Sequence, residues 1–402
     1  MLRPGHFIAL IALALLTLGV LMVNSADMKA APADAPSPVM SPLGILFSRS
    51  TAYMVLALGA MALASTLPVR RLAERLCAPD PTGRPPIGRL AMAAGAVLLI
   101  CALVYVPGLS YEINGARRWL RLPVPGLGDA LSVQPSEIAK WACVGLMAWY
   151  GAVCAGSMRL FVRGLVPALA AVGAICAFLV LEDLGTSVLI AGVAGLVLLA
   201  AGANVWHFLA FVPVGAAGVA GAILTSSYRM KRLLAFADPY ADPQGIGYHT
   251  IQSLIAIANG GGWGRGLGHG LQKFGYLPED RTDFIFCVIA EELGLAGAAT
   301  VCLLFAGLVW CGFFIMRREQ HPALRLFTLG VVATIAFQAV INLAVVTGMA
   351  PTKGIALPLL SSGGTGWILT SFCLGLVIAI DRTQARRPVS EGGPLTATLT
   401  AA

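Results

Sequence analysis

Residues 293–316 read LGLAGAATVCLLFAGLVWCGFFIM, a run without a charged residue that ends at Arg317 and Arg318. As a helix rising 1.5 Å per residue it is about 36 Å long, enough to cross a hydrocarbon layer of roughly 30 Å. Nine further apolar runs lie at 7–23, 52–67, 90–106, 139–155, 165–181, 186–203, 208–224, 327–347 and 367–380. Of the 402 residues, 58% are hydrophobic and 11% charged, against about 25% charged in soluble domains. Mean hydropathy is +0.82. A water-soluble globular protein is excluded, and the class is all-α: a polytopic membrane protein with about ten transmembrane helices.

Orientation follows from the short loops, because Lys and Arg collect on the cytoplasmic side. Arg3, Arg70, Arg71, Arg75, Arg84, Arg89, Arg159, Arg163, Arg317, Arg318, Arg325, Arg382, Arg386 and Arg387 fall on one side of a ten-span arrangement. Both termini are therefore cytoplasmic. The first run is read as an uncleaved helix, since many spans follow it and only Arg3 precedes it. Residues 1–387 form one integral membrane domain, with 27–50 a Pro- and Ala-rich flexible outward loop and 388–402 a disordered cytoplasmic tail. The net charge of +8 resides in loops between spans rather than on a soluble basic face, so nucleic acid is not a partner. The nine cysteines lie almost entirely within apolar runs and show no metal-ligand spacing, so neither disulfide nor zinc is expected.

Two outward loops carry bases against this bias. One, 109–138, holds Arg117, Arg118 and Arg121; the other, 225–283, holds Arg229, Lys231, Arg232, Arg265, Lys273 and Arg281. Cations placed outside suggest an anionic ligand, although translocated bases also occur without one. The longer loop opens with bases interleaved among apolar residues at 228–236, as in a helix lying at the membrane surface. Its glycines at 260–268 would let backbone N–H groups approach a phosphate, or would simply form turns. Asp283 stands before the apolar stretch 284–290 and the acidic pair Glu291 and Glu292. The plain reading makes Asp283 the cap of the following helix. A continuous helix over 284–316 would be about 50 Å long, so its first turns must project, tilt or line a cavity. Gln134 is read as the cap of the helix that begins at Pro135, and Glu137 and Lys140 are spaced to pair. The third outward segment, 348–366, is interrupted by prolines and glycines, which at membrane depth requires surrounding protein or a wet cavity, and Lys353 lies in it. The last span, short at 367–380, is also readable as starting near Leu357 and breaking at Gly363 and Gly364. Glu182 and Asp183 read as a tight turn.

Four blocks in order carry a specific resemblance: NGARRWL (114–120) with QPSEIAK (134–140); YRMKRLLAFADPY (228–240) with GYHTIQSLIAIANGG (247–261); GRGLG (264–268) with YLPEDRTDFIF (276–286) and EELG (291–294); and PTKGIALPLLSSGGTG (351–366). Together they resemble the SEDS family (shape, elongation, division and sporulation) of membrane glycosyltransferases typified by FtsW, RodA and SpoVE, from the first span to Ile380. The resemblance implies polymerisation of lipid II into β-1,4-linked glycan strands at the outer face of the bacterial cytoplasmic (inner) membrane. It implies Asp283 as catalytic base and Arg117, Arg118, Lys140, Arg232, Glu279 and Lys353 as substrate-binding residues. The chain departs from the family pattern at Arg281, where His is usual, at His249, where Gln is usual, and at Ser362, where Tyr is usual. Lys353 in Pro-Thr-Lys-Gly looks like the division branch, which implies a septal location.

The chemistry is coherent on these residues. A sugar hydroxyl attacking an anomeric carbon needs a base for its proton and positive charge for the departing diphosphate. No cofactor is certain; a divalent cation, magnesium or manganese, could share the diphosphate. Expected partners are lipid II and the growing glycan strand, a class B penicillin-binding transpeptidase, divisome or elongation-complex proteins, and membrane lipids. Two other classes compete, a lipid II flippase and a scaffold for a transpeptidase. Bases gathered on the outer side, with few charges inside the spans, favour chemistry after translocation. The outward bases Arg117, Arg118, Lys140 and Lys353 are expected to converge with Asp283 on one cavity, the rival being ion pairs with Glu112, Glu137 or Glu182.

Overall fold

The computed structural model describes residues 3–28, 41–78, 85–106, 108–113, 116–124, 128–362 and 364–384. Its elements, in chain order, are α1 (Pro4–Ala26), α2 (Pro42–Leu46), α3 (Arg49–Thr66), α4 (Val69–Leu76), α5 (Ile87–Ala102), β1 (Ser110–Ile113), β2 (Ala116–Val124), β3 (Gly128–Val133) and α6 (Pro135–Val153). There follow α7 (Val166–Leu179), α8 (Leu184–Ala200), α9 (Val205–Leu224), α10 (Ser227–Ala237), α11 (Tyr248–Gly260), α12 (Ile285–Arg318), α13 (Pro322–Val346) and α14 (Thr365–Gln384).

Each of the ten expected spans falls on a helix. By length and composition, seven described helices can cross a membrane, or eight when α3 and α4, bent by 67°, count as one span. The other two expected spans are α8, a shorter apolar helix of 17 residues, and α6, whose first turn carries Glu137. Proline at the start of α1, α6, α7 and α13 fits helix N-termini, where its missing N–H costs nothing. Gln134 does precede α6 but makes no side-chain cap. The tail 388–402 and residues 29–40 of the 27–50 loop lie outside the described residues; within that loop, Ser41 caps the short α2 by accepting from the Gly44 N–H.

The core lies where α1, α6, α8, α12, α13 and α14 meet, with α3 packed along α14. Small residues permit this closeness. A Cβ at Gly375 of α14 would sit 2.4 Å from the Met61 carbonyl oxygen of α3, and one at Gly19 of α1 would sit 2.9 Å from that of Leu360. In a bilayer, where burial of apolar surface does not drive helices together, such contact supplies the packing. By contrast, none of α9 is buried.

Three features depart from the expected loops. The strands β1, β2 and β3 form a three-stranded antiparallel sheet in that order, with Tyr111 opposite Trp119 and Leu120 opposite Val133. The long loop 225–283 holds two helices, the expected surface helix α10 and the apolar α11. α12 is not one rod: Gly294 has φ 67° and ψ −163°, which breaks the helix between a half-helix ending at Leu293 and the membrane span proper. The last span starts at Thr365, not at Leu357. Residues 351–362 run as irregular backbone with Leu357, Leu359, Leu360 and Ser361 buried, the protein-surrounded case that membrane depth requires.

Candidate functional site

Asp283 occupies the turn before α12, and it is not the helix cap. The residue in the cap position is Phe284, one residue further on, and its side chain makes no cap bond. The turn is instead closed by Glu279, whose carbonyl accepts from the N–H groups of Thr282 and Phe284 at 3.2 Å each. Glu279 pays for this with a left-handed backbone, φ 57°, and its Oε2 accepts from the Thr282 hydroxyl at 3.0 Å.

The Asp283 side chain meets the irregular segment after α13. A Cβ built on Gly354 would lie 2.9 Å from Asp283 Oδ2, so only glycine lets the segment approach this closely. Two polar residues of α13 hold the arrangement. Asn342 Nδ2 donates to the carbonyls of Asp283 at 2.8 Å and Ile355 at 2.7 Å. Gln338, one turn earlier, donates to the Ala356 carbonyl at 2.8 Å. A further tie runs from the Ser362 N–H to the Arg281 carbonyl at 2.9 Å. Residues at 283 and 354 are thus brought together by backbone hydrogen bonds that side chains inside a span supply.

Cations border this junction. Arg232 of α10 donates to the Thr352 carbonyl at 3.1 Å and lies 4.5 Å over the Tyr228 ring. Arg229 reaches the Val180 and Leu181 carbonyls at 2.7 and 3.1 Å, tying α10 to the turn before α8. Lys353 is half-buried, and that burial pushes its ammonium below the ordinary lysine value; Asp183 opposes the shift and Arg229 adds to it. Asp183, expected to be only part of a turn, both caps α8 through the Thr186 N–H at 3.0 Å and faces Lys353. His249 stacks on Phe284 with ring centroids 5.9 Å apart. Burial and Arg232 push its imidazole down, while Glu279 pulls it up, which places Arg232, His249 and Glu279 in one electrostatic neighbourhood.

Two expectations are corrected. Lys140 does not open onto this junction. It is 2% exposed, its Nζ sits 2.7 and 2.8 Å from the Glu137 carboxylate oxygens, and it donates to Gln338 Oε1 at 3.0 Å. Its charge is closed in the rival ion pair, and it acts on the site through Gln338. Nor do the glycines at 260–268 cradle a phosphate with their N–H groups. Those of Gly268 and Gly270 bond the Glu292 carboxylate at 2.9 and 3.3 Å, and those of Arg265 and Gly266 bond the Glu291 and Glu292 carbonyls at 3.0 Å each. The N–H groups of Leu271 and Gln272 go to the Glu291 carboxylate at 3.0 and 3.1 Å. Glu292 also receives Lys273 Nζ at 2.7 Å and the Ser25 hydroxyl at 2.7 Å, all with buried side chains. The acidic pair therefore folds the glycine-rich segment onto the half-helix. A Cβ at Gly260 would fall 1.8 Å from the Ala290 carbonyl oxygen, so this packing requires glycine.

Arg117 and Arg118 lie on β2, and their side chains, with the expected convergence on Asp283, lie outside the described residues. For a metal, no group of three or more His, Cys, Asp or Glu side chains is positioned to bind one among the described residues. Asn342, Gln338 and Asp183 are the site-building residues that the motifs did not single out. The first two had a legible signal, two amides at i and i+4 within an apolar span.

Comparison with known proteins identifies the family. The family described as Cell cycle protein, which groups FtsW, RodA and SpoVE, matches residues 6–386. Stage V sporulation protein E of Bacillus subtilis is 38% identical over 293 residues, covering 71% of this chain and 78% of that protein. The probable peptidoglycan glycosyltransferase FtsW of Geobacter metallireducens is 34% identical over 388 residues, 96% of each chain. Among solved structures, a chain from one described as structural coordination of polymerization and crosslinking by a peptidoglycan synthase complex superposes with a TM-score of 0.67 at 28% identity, covering 94% of this chain and 98% of that one. The rod shape determining protein RodA of Thermus thermophilus gives 0.59 at 25% identity, with 94% and 97% covered. Spanning nearly the whole chain, these matches establish that the protein belongs to the FtsW/RodA/SpoVE family of polytopic membrane proteins.

Proposed function

We propose that this protein is a peptidoglycan glycosyltransferase that polymerises lipid II at the outer face of the cytoplasmic membrane, with Asp283 as general base. The observation that carries the reading is the placement of Asp283: a carboxylate in the turn before α12, set against Gly354, whose neighbour in the chain is the half-buried Lys353. In the step, an acceptor sugar hydroxyl gives its proton to Asp283 as its oxygen bonds the donor's anomeric carbon. The bond from that carbon to the diphosphate oxygen breaks, and its electron pair leaves with the lipid diphosphate. Lys353 is suited to the leaving group, because a cation depressed by burial gains most from an incoming anion. Arg232, held on the Thr352 carbonyl, fixes the segment that carries Lys353, and Glu279 shapes the turn that carries Asp283. Arg117 and Arg118 are proposed as further diphosphate contacts, and Lys140 as a support for Gln338.

The test is purified protein with lipid II and products resolved by length. Glycan ladders are expected, and Asp283→Asn should lower their rate by about 10²–10⁴-fold, the usual worth of a general base. Near-normal polymerisation by that variant would remove Asp283 from the chemistry, and lipid translocation without polymer would select the flippase.

A polymerase of strands implies a crosslinking partner, and the structural neighbour described as a complex for polymerization and crosslinking supports one. The proposed partner is a single-span class B penicillin-binding transpeptidase at the division septum, among divisome proteins. Lys353 in its Pro-Thr-Lys-Gly context favours division over elongation. Mild-detergent co-purification should recover the transpeptidase, and a fluorescent fusion should collect at midcell; an even distribution along the cell wall would favour the elongation role.

A further inference from the structure

At the opposite, cytoplasmic end of the bundle, the chain builds a basic cavity that the glycosyltransferase reading leaves unused. α3 ends at Thr66, and Leu67-Pro68 turns the chain by 67° into α4. The contact of Gly375 with Met61 brings α14 against α3, so that two turns further on Arg382 reaches the end of α3 and donates to the Ser65 carbonyl at 2.9 Å. Between them lies a cavity of about 390 Å³ lined by Arg70, Arg71, Arg382 and Glu74 among other residues. Three cations thus face one carboxylate. Arg70 is committed to Glu74 at 3.1 Å and lies 3.9 Å from the buried Glu319. Arg71 is exposed, and no carboxylate pairs with it among the described residues. Arg382 uses one N–H on Ser65, and a guanidinium carries five donors. The excess charge of the cavity is therefore held by Arg71 and Arg382.

The surroundings identify the ligand. α4 buries Val69 and Ala73 inward, while Leu72 and Leu76, one turn apart on another face, are 54% and 52% exposed. A basic amphipathic helix bent off the end of a span, with leucines outward, lies in the headgroup region of the leaflet. Guanidinium forks match phosphate oxygens bidentately.

We propose that this cavity is a binding site for the phosphate-bearing headgroup of an anionic phospholipid of the cytoplasmic leaflet, clamped by Arg71 and Arg382. The lipid's acyl chains lie along Leu72 and Leu76. Arg75, on the same helix but outside the cavity lining, is the internal control for general surface charge.

The experiment is native mass spectrometry of the detergent-purified full chain after exposure to phosphatidylglycerol or phosphatidylcholine. Phosphatidylglycerol should be retained in preference. Arg71→Gln and Arg382→Gln should each cut retention about fivefold, the worth of one base at an anionic surface, and Arg75→Gln should leave it nearly unchanged. Arg71 is exposed, so its variant keeps the test valid if loss of the Ser65 bond unsettles Arg382→Gln. Equal losses in all three variants would reduce the effect to diffuse charge and overturn the site, as would equal retention of phosphatidylcholine. Displacement of the lipid by millimolar inorganic phosphate would reassign the cavity to a free anion and overturn the lipid proposal.

Discussion

Replacing Lys273 with methionine would leave the Glu292 carboxylate buried with no cation, its remaining partners being the Ser25 hydroxyl and the N–H groups of Gly268 and Gly270. Both charged side chains are fully buried, at 0% exposure. Removing one member of such a pair costs about 3–5 kcal/mol, most of it the uncompensated charge rather than the lost contact. Spread over a chain this large, that corresponds to a fall on the order of 4–6 °C in thermal midpoint. The assay is thermal unfolding of purified protein in detergent, followed by cysteine accessibility or by size-exclusion fluorescence. Glu292→Gln should also destabilise the protein, and the double variant should cost much less than the sum of the two singles, because the second change removes the charge that the first stranded. A midpoint within about 1 °C of wild type for Lys273→Met, or strict additivity of the pair, would refute the view that this ion pair holds the glycine-rich segment in place.

Asp280, beside Arg281 in the turn that carries Asp283, has its carboxyl pushed up to about 6 by burial, against the opposing pull of Arg281 and with Asp27 adding to the rise. The folded chain holds this proton to a higher pH than the unfolded chain, so its contribution to stability is present at low pH and is lost as pH rises from 3.8 to about 6. Asp280→Asn should therefore narrow the difference in thermal midpoint between pH 5 and pH 7, and an unchanged difference would contradict the burial. Lys353→Met removes a charge that burial penalises, so unliganded stability should hold or rise while KM for lipid II increases about tenfold, the worth of one charge-assisted contact; unfolding instead would make Lys353 a structural residue. Asn342→Leu should lower kcat through loss of the tie between Asp283 and the 351–362 segment, and polymerisation at the wild-type rate would show that the tie is dispensable.

The parts of the fold legible in the sequence are those governed by the bilayer. Apolar runs of sufficient length became helices at all ten expected places, because lipid leaves backbone groups no other partner. The break at Gly294 was visible only as a length problem, a helix of about 50 Å where roughly 30 Å suffices. The small sheet at 110–133 was not legible, since its pairing depends on register between strands rather than on hydropathy. At the site, the position of Asp283 could be marked, but its cap reading and its functional reading predict the same residue type, and only the geometry separates them. For Lys140 the sequence offers two readings, a substrate contact implied by the resemblance and an i,i+3 pair with Glu137, and the structure takes the pair. The glycines of 260–268 announced close approach correctly but not to what: their partner carboxylates lie some twenty residues further on, a distance over which local pattern is silent.

The interrupted α12 has a consequence for how the protein matures in the membrane. The half-helix before Gly294 is too short to be inserted as a span of its own, and it carries Glu291 and Glu292 to a place with no water. Those carboxylates become tolerable only once residues 264–273 have wrapped over them and α1 has presented Ser25. α1 is made first, the wrapping segment later and the half-helix immediately after it, so during synthesis each partner exists before the acids need it. With Asp283 as the proposed base, assembly ends at the place where the chemistry would begin: its turn, tied to Asn342 and Gly354 by contacts with elements made later, closes last, and a chain inserted but not closed there would be an inert precursor.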